Sequence, residues 1–562
     1  MFLLGPAISV VILTIGGFVH ETVEAQPQIV TTHGTVEGFT QTVLDVEVDT
    51  YLGIPFATPP VGNLRFKRPV DVQQWNETLH VKTPHNSCYT FIDTSFDRRP
   101  GVEMWNPNTN MSEDCLYLNI WVPRGNSSNS TTPMATMIWI FGGGFFAGTP
   151  TLEVYDGKYL AAHSDVIVAS INYRTGPLGF LYMGTQAAPG NMGLLDQQLA
   201  LRWIFRNIEL FGGDKSRITL FGESAGAASA GYHSLSSGSF DFFNRSIMMS
   251  SAVPVYWTLT SNDTAESRAR DFALFFKCPV NDKDAMLECL MSKSPVELSD
   301  NQFAVSVTGF LGVPFPPVVD GEFLTDDPDS LFKRDEYKKV DVLLGVVKDE
   351  GSYWLIYGLP QYFALVNNRS LNYSEFVTAI DSLLPEANDN VKKAVIALYA
   401  ESTPSEFRNY RDIMDDIMGD QTFKCPVMQY AHIAAQSSKV YLYSFEERMS
   451  NLPWPEWMGV PHGYEVEVVF GLPLNESLGY TSAEVDFSKR VMTYWSNFAK
   501  TGDPNSATVA NWPVYTDSRQ EYAILDNTTQ DYIQTGLRAQ QCNFWSSIVP
   551  LLKPGKYKMT FS

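Results

Sequence analysis

A serine between small residues is the strongest chemical signal in the chain. The apolar run Arg217–Gly222 leads directly into Gly-Glu-Ser-Ala-Gly, and small helix-forming residues follow it. This is a G-x-S-x-G arrangement in the strand–turn–helix context that such a motif needs. Gly222 and Gly226 allow the backbone to turn sharply and expose a hydroxyl. The pattern therefore predicts that Ser224 is a nucleophile.

A nucleophilic serine requires a base and an acid, which follow it in the order acid, then histidine. After residue 350 the chain has two histidines, His432 and His462. His432 lies in a helical pattern, where a packed or surface histidine is the ordinary interpretation. His462 lies in a Pro/Gly loop after the last long apolar run, so we predict that it is the base. The acid should end an earlier strand, and "VDVLLGVVKDEG" offers both Asp349 and Glu350, between which spacing does not choose.

A glycine run follows the first long apolar segment, in "IFGGGFFAG". Glycines there let backbone N–H groups approach a substrate carbonyl and bind an oxyanion, although a plain flexible loop is the alternative. We predict that Gly143 and Gly144 supply these groups together with the N–H of Ala225. Ser224 would then attack an acyl carbon, and His462 would pass the proton to the leaving group.

Short apolar runs alternate with helical patterns along the chain. Six of the runs resemble fully buried strands: Ala135–Phe141, Val166–Tyr173, Arg217–Gly222, Ser246–Ser251, Val340–Val346 and Val440–Phe445. This alternation predicts an α/β fold with a large, mostly parallel sheet flanked by helices. Asn262–Ser299 and Ser374–Met418 are predicted as helical insertions. No linker or repeat divides the chain, so we expect residues 26–562 to form one catalytic domain with a short C-terminal tail.

The composition is globular and acidic, with 44% hydrophobic residues and a net charge of −22. Such a charge argues against nucleic acid and anionic membranes as partners. It fits a small cationic substrate, although acidic surfaces usually serve only solubility.

Several features predict a secreted protein. Residues 1–25 contain the apolar run Phe2–Val19 and end in "VEA", as a signal peptide does. Sequons are frequent, among them Asn76, Asn126, Asn244, Asn372 and Asn527. The six cysteines form an even set, which predicts three disulfides without specifying the pairing. The tail after Cys542 has no further cysteine and no lipid-anchor signal, so we expect a monomer without a membrane anchor.

From Val36 to Pro550 the chain resembles the cholinesterases of the type-B carboxylesterase family. The resemblance is carried by "YLGIPFATPPVGNLRFKRP", "EMWNPN", "SEDCLYLNIWVP", "GGGF", "APGNMGLLDQ", "FGESAG", "KDEGSY", "WPEWMGVPHGYE" and "FAKTGDPN". It implies the α/β-hydrolase fold, no metal ion and no cofactor. It also implies that Glu350 rather than Asp349 is the acid. The implied disulfides are Cys88–Cys115, Cys278–Cys289 and Cys425–Cys542.

The resemblance further implies a choline-binding site formed by Trp105, Glu223 and Tyr353. Trp105 lies in the polar stretch "EMWNPNTNMSEDC", where a partly buried anchor residue is the plain alternative. A quaternary ammonium has no N–H to donate, but an aromatic face attracts it by about 0.5–2 kcal/mol per ring. The resemblance also implies an active-site cleft, called the gorge. The residues implied along this gorge and at its rim are Phe91, Asp93, Phe146, Tyr357 and Trp454.

The implied acyl pocket consists of Leu311, Val313, Trp354 and Trp257. Vertebrate acetylcholinesterases have phenylalanines where Leu311 and Val313 stand here, which predicts a wider pocket. Trp354 replaces a smaller aromatic residue and refills part of that space. The rim also differs, because Gln302 and Phe303 stand where the family has a tryptophan.

The activity implied by the resemblance is hydrolysis of acetylcholine, with some activity on larger choline esters. A general carboxylesterase and a butyrylcholinesterase-like enzyme are the alternatives among enzymes. A neuroligin-like adhesion protein is the non-enzymatic alternative, but such relatives lack the nucleophilic serine.

Overall fold

The computed structural model describes residues 26–552, except 126–131, 308, 367–369, 403, 406–407 and 529–531, with backbone only at 549–552. The expected signal peptide, the sequon at Asn126 and residues 553–562 therefore lie outside the described residues. No helix within the described part is long and apolar enough to cross a membrane.

A large central sheet organises the described residues. The strands are, in chain order, β1 (Gln28–Val30), β2 (Thr35–Glu37), β3 (Phe39–Val43), β4 (Val46–Pro55), β5 (Leu79–His80), β6 (Tyr117–Pro123), β7 (Met134–Ile140), β8 (Ile167–Ile171), β9 (Tyr182–Thr185), β10 (Ala188–Pro189), β11 (Gly213–Glu223), β12 (Arg245–Met249), β13 (Asp341–Val347), β14 (Val440–Phe445), β15 (Glu521–Leu525) and β16 (Tyr532–Thr535). Eleven of these described strands form the central sheet, in the order β16-β15-β14-β13-β12-β11-β7-β8-β6-β4-β3.

The middle of this sheet is parallel and its edges are antiparallel. Strands β8, β7, β11, β12, β13, β14 and β15 run parallel to their neighbours in that series. Strands β3, β4 and β6 pair antiparallel at one edge, where β6 also meets β8, and β16 pairs antiparallel with β15 at the other. Because parallel strands share one carboxyl edge, loops that follow them converge there.

Helices fill the connections between the strands. The α-helices of the described residues are α1 (Pro100–Glu103), α2 (Lys158–Ser164), α3 (Gly176–Phe180), α4 (Met192–Asn207), α5 (Ala225–Leu235), α6 (Asn262–Phe275), α7 (Lys283–Met291), α8 (Pro295–Asp300), α9 (Pro328–Lys333), α10 (Ser352–Gly358), α11 (Tyr373–Leu383), α12 (Asp389–Ile396), α13 (Tyr410–Gly419), α14 (Cys425–Ala435), α15 (Val466–Val469), α16 (Ser482–Thr501) and α17 (Ala539–Leu552). Two π-helical turns, Ala397–Glu401 and Asp420–Lys424, interrupt the helical region.

These elements confirm the predicted fold class. Each of the six apolar runs forms a strand of the central sheet, namely β7, β8, β11, β12, β13 and β14. The first predicted insertion forms α6, α7 and α8, and the second forms α11, α12 and α13. The mostly parallel sheet flanked by helices is therefore as expected.

Two hydrophobic clusters support the molecule. The larger surrounds the central sheet, and the smaller joins α10 to α13 with aromatic residues such as Trp454 and Trp545. Trp105, Leu311 and Trp354 are partly buried and pack against both clusters. The boundary between the two clusters is where the candidate site lies.

Candidate active site

Ser224 lies at a sharp turn between β11 and α5. Its backbone angles, φ 56° and ψ −122°, are outside the regions that side-chain-bearing residues normally adopt. The turn requires glycine on both sides. A Cβ at Gly222 would lie 2.7 Å from the carbonyl oxygen of Ile140, and one at Gly226 would collide with the same oxygen. The strained geometry therefore depends on close packing against β7, and it presents Ser224 at the carboxyl edge of the sheet.

The structure places Glu350, rather than Asp349, against His462. Nδ1 of His462 lies 2.6 Å from Oε2 of Glu350, and the N–H of Val347 donates to Oε1 of Glu350 at 3.0 Å. Asp349 is used differently, since its carboxylate accepts a 2.8 Å hydrogen bond from the N–H of Val460. Glu350 is fully buried, so its hydrogen bond fixes the orientation of the imidazole.

The other nitrogen of His462 faces Glu223. Nε2 lies 3.0 Å from Oε1 of Glu223, and within the described part of the chain neither atom has a hydrogen-bond partner of good geometry. Burial opposes a charge on the imidazole, yet Glu223 and Glu350 outweigh it and raise the pKa of His462 to about 10. The site therefore favours the imidazolium that forms when His462 accepts a proton.

The glycine loop packs directly against the serine. A Cβ at Gly142 would lie 2.7 Å from the carbonyl oxygen of Glu223 and 3.1 Å from Cβ of Ser224. Gly143 and Gly144 both have positive φ, and a side chain at Gly143 would collide with Ala147. Ala225 is the first residue of α5, where N–H groups have no intrahelical acceptor. Gly142 therefore packs against Ser224, and the N–H of Ala225 directly follows the serine at the start of α5.

Ser224 and His462 line a cavity of about 410 Å³. Its other side-chain walls include Phe91, Asp93, Trp105, Phe146, Glu223, Phe303, Phe310, Leu311, Tyr353, Trp354 and Tyr357. Most of these side chains are aromatic. A hydroxyl, an imidazole, a buried carboxylate and backbone N–H groups at one cavity form the set that acyl transfer requires.

Trp105 lies on a loop closed by a disulfide. Cys88 and Cys115 are bonded at the base of this loop, and Tyr464 packs edge-on against the indole at 5.7 Å. Gly463 separates Trp105 from Glu223. A Cβ there would lie 3.5 Å from the indole and 3.7 Å from Oε1 of Glu223. The missing side chain leaves the indole and a carboxylate next to the same space.

A chain of hydroxyl groups joins the cavity to its rim. Tyr353 and Tyr357 are one turn apart on α10, with their hydroxyl oxygens 3.3 Å apart. Tyr357 donates to Oδ2 of Asp93 at 2.7 Å. Asn106 holds the Asp93 backbone, accepting from its N–H and donating to its carbonyl at 2.8 Å each.

Not every residue predicted for the acyl pocket and rim reaches the cavity. Leu311 and Trp354 line it, whereas Val313, Trp257 and Trp454 are buried outside its lining. Trp257 donates to the carbonyl oxygen of Thr422 at 3.3 Å. Trp454 packs edge-on against Tyr353 at 5.8 Å and therefore supports a wall from behind.

The rim carries three phenylalanine rings. Phe303 packs edge-on against Phe91 and Phe146, with both centroid distances at 5.2 Å. Phe303 remains 42% exposed, whereas Gln302 is fully buried and donates to the carbonyl oxygen of Ser299 at 3.0 Å. Phe303 rather than Gln302 therefore shapes the entrance.

Two neighbours of His462 were missed by the sequence analysis. The ring of Phe423 lies 4.3 Å from the imidazole, on a π-helical turn that no local pattern announces. Glu465 is fully buried and accepts a 3.1 Å hydrogen bond from Ser250. Burial, followed by Glu223 and Glu350, raises the pKa of Glu465 to about 8. Its place three residues after His462 was the only sequence signal.

The cysteine pairing is as expected. The three disulfides are Cys88–Cys115, Cys278–Cys289 and Cys425–Cys542, and no free cysteine remains. Within the described residues, no group of three or more His, Cys, Asp or Glu side chains is arranged to hold a metal ion.

Comparison with known proteins shows which family the chain belongs to. The model of the Carboxylesterase family matches residues 25–545. The chain belongs to this carboxylesterase family. Its eleven-stranded sheet, flanked by helices, is accordingly that of the α/β-hydrolase fold, as the family resemblance implied.

Relatives within the carboxylesterase family cover most of the chain. An acetylcholinesterase from Bungarus fasciatus is 45% identical over 531 residues, which is 93% of this chain and 87% of the relative. A cholinesterase from Mus musculus is 45% identical over 532 residues, with the same coverage of 93% and 87%. An acetylcholinesterase from Danio rerio is 42% identical over 572 residues, covering 94% of this chain and 89% of the relative.

Proposed function

We propose that this carboxylesterase-family protein is a secreted serine hydrolase that cleaves acetylcholine to choline and acetate. The reaction passes through an acyl-serine intermediate, and larger choline esters react more slowly. One observation carries the proposal: Trp105 and Glu223 line the same cavity as Ser224 and His462. A cation-binding surface and an acyl-transfer set therefore lie within reach of one small ester.

The chemistry follows from the roles of the four polar groups. Ser224 attacks the ester carbonyl carbon while Nε2 of His462 takes its proton. The N–H groups of Gly143, Gly144 and Ala225 stabilise the oxyanion of the tetrahedral intermediate. His462 then protonates the choline oxygen as the C–O bond breaks. A water molecule repeats the sequence on the acyl-serine, with Glu350 supporting the imidazolium in both halves.

The choline group is selected without hydrogen bonds. The indole face of Trp105 attracts a quaternary ammonium, and Glu223 beside it adds a negative charge. Tyr353 supplies a further aromatic wall. Asp93 at the rim and the net charge of −22 favour the approach of a cation.

Two further observations support the proposal. The relatives described above are named acetylcholinesterase or cholinesterase. Each alignment covers most of this chain and most of the relative. Three disulfides that use every cysteine fit an oxidising, extracellular setting.

Labelling of Ser224 tests the proposal. An organophosphate should phosphorylate wild-type protein at one residue per chain, identified by mass spectrometry as Ser224. Ser224→Ala should be secreted and folded, remain unlabelled, and hydrolyse acetylcholine at least about 10³-fold more slowly. Normal turnover by Ser224→Ala would refute the assignment. Labelling with no preference for choline esters would indicate a general carboxylesterase, and absence of both labelling and turnover a non-enzymatic relative.

A further inference from the structure

A lysine is buried directly behind the turn that carries Glu350. Lys424 ends the π-helical turn Asp420–Lys424 and is only 4% exposed. Its Nζ donates to the carbonyl oxygen of Lys348 at 2.6 Å. Lys348 lies between the end of β13 and Glu350, so this hydrogen bond holds the backbone two residues before the carboxylate.

The same turn is joined on its other side to the loop of His462. The N–H of Asp349 donates to the carbonyl oxygen of Val460 at 3.1 Å, and the N–H of Val460 donates to Oδ2 of Asp349 at 2.8 Å. The Ser352 hydroxyl donates to the carbonyl oxygen of Met458 at 2.8 Å. Lys424 therefore completes a clamp around the segment that sets Glu350 against His462.

Lys424 and Glu350 also share a packing neighbour. A Cβ placed on Gly419 would lie 3.1 Å from Cβ of Glu350 and 3.6 Å from Cε of Lys424. Gly419 therefore places no side chain between the lysine stem and Cβ of Glu350.

The positive charge of Lys424 lies among several carboxyl groups. The charged and titratable groups around it are Lys348, Asp349, Asp415, Asp416, Asp420 and Arg538. Arg538 binds both carboxylate oxygens of Asp420, at 2.8 and 2.9 Å. Lys424 lies 3.6 Å from Asp416 and faces the carboxyl pair Asp349 and Asp415.

The pKa shifts of Lys424 and Asp415 agree with this arrangement of charges. Burial opposes a charge on Lys424, but Asp416 and Asp420 outweigh it and raise the pKa of the lysine. Burial, followed by Asp349, raises the pKa of Asp415 and so favours its neutral form beside Asp349. Lys424 thus balances the remaining charge of the pair.

We propose that Lys424 is a positioning residue for Glu350, holding the turn from Lys348 to Gly351 in register with His462. This inference rests on the proposed triad of Ser224, Glu350 and His462. An apolar side chain of similar volume would fill the same space without the desolvation cost of a buried cation. Volume alone therefore does not account for a lysine here.

The test compares Lys424→Met with wild type on p-nitrophenyl acetate, an uncharged ester, with the active sites counted by organophosphate titration. We expect kcat to fall about 10- to 100-fold with KM within about twofold, because misplacement of an orienting carboxylate affects the reacting geometry. Losing the cation also favours the imidazolium, so the acid limb of the kcat/KM profile should move to higher pH. Wild-type kcat and pH profile in Lys424→Met would overturn the proposal.

Lys500→Met is the matched control. Lys500 also donates to a backbone carbonyl, that of Ser164, but it lies at the amino edge of the sheet, near the start of β8. This variant should keep kcat within about twofold, since nothing near Ser224 moves. An equal loss in both variants would indicate a general stability effect and would also overturn the proposal.

A double variant covers the case in which Lys424→Met is not secreted. Lys424→Met/Asp415→Asn removes one carboxyl together with the lysine, while the Asn amide can still donate to Asp349. Because Asn replaces a carboxyl whose raised pKa already favours the neutral form, the acid limb should stay where Lys424→Met places it, and kcat should stay low because the Lys348 carbonyl remains unheld. Wild-type kcat in the double variant would refute the positioning role. The neutral substrate keeps this result separate from choline selectivity, and failure of wild type to take the label would instead reject the proposed function.

Discussion

At the residue scale, we expect cation selectivity to depend on Trp105. Trp105→Ala should lower kcat/KM for acetylcholine by about 5- to 30-fold more than for 3,3-dimethylbutyl acetate, the uncharged isostere, because about 1–2 kcal/mol of cation–π attraction is lost. Trp105→Phe is the control, since it keeps a smaller aromatic face and should lose less. Equal losses on both substrates would make Trp105 a packing residue.

Glu223 has a second role through the charge of His462. Its carboxylate is among the groups that raise the pKa of His462, and only the neutral imidazole acts as a base. Glu223→Gln removes the charge with little change of shape. The pKa of His462 should then fall, the neutral base should form at lower pH, and the acid limb of the kcat/KM profile for a neutral ester should move to lower pH. A shift in the opposite direction would contradict this electrostatic account.

Some residues of the site could be predicted from the sequence alone, and others could not. Ser224 and His462 could be predicted because their motifs are local and follow the known chain order. The choice between Asp349 and Glu350 needed either a family resemblance or the fold. Adjacent residues on one turn point in different directions, and only the packing of β13 against the His462 loop distinguishes them.

At the scale of elements, α10 supplies much of the cavity wall. It carries Tyr353, Trp354 and Tyr357. Trp354 stacks on Phe423 at 6.0 Å and lies 5.4 Å from His462, close to where an acyl group would sit. We expect its large ring to refill part of the space that Leu311 leaves where vertebrate acetylcholinesterases have a phenylalanine.

Trp354→Ala should therefore raise activity on butyrylthiocholine relative to acetylthiocholine. Two methylenes in an apolar pocket change transition-state binding by about 1–3 kcal/mol each, so the wild-type preference for acetyl should be partial. The ratio of kcat/KM for the two esters measures the effect. Val313→Ala is a suitable control because Val313 does not line the cavity. An unchanged ratio in Trp354→Ala would show that the indole does not limit the acyl group.

The helices and strands differed in how well the sequence predicted them. The central parallel strands are continuous apolar runs, which stand out because both faces are buried. Strands β4 and β6 at the antiparallel edge were not predicted, since polar residues such as Asp49 and Asn119 interrupt their apolar runs. The π-helical turn Asp420–Lys424 has no sequence signature, so the positions of Phe423 and Lys424 could not be predicted from the sequence.

At the scale of the whole molecule, the disulfides limit how chains can be joined. Every cysteine is used within one chain, so none remains to link two chains. Secreted protein should therefore migrate at the monomer position on non-reducing electrophoresis. A Cys425→Ser variant is the control, because its freed Cys542 should produce a disulfide-linked dimer. A reducible dimer of wild type would contradict the pairing.

The net charge of the molecule should affect catalysis only by changing the rate at which a cationic substrate reaches the site. With a net charge of −22 and Asp93 at the rim, attraction of a cation is long-range and is screened by salt. This electrostatic contribution acts on cationic esters alone, whereas Ser224 chemistry is common to both kinds of ester. Substrate comparisons are therefore best made at one ionic strength.

The most direct test of the central claim is the ratio of kcat/KM for acetylcholine to that for 3,3-dimethylbutyl acetate, measured on wild-type protein with active sites counted by organophosphate titration. The two substrates share an acetyl group and a shape, and differ in the positive charge. The account predicts a ratio of about 10 or more in favour of acetylcholine, from cation–π attraction to Trp105 and the charge of Glu223. A ratio near unity would contradict it and indicate an esterase without a choline site.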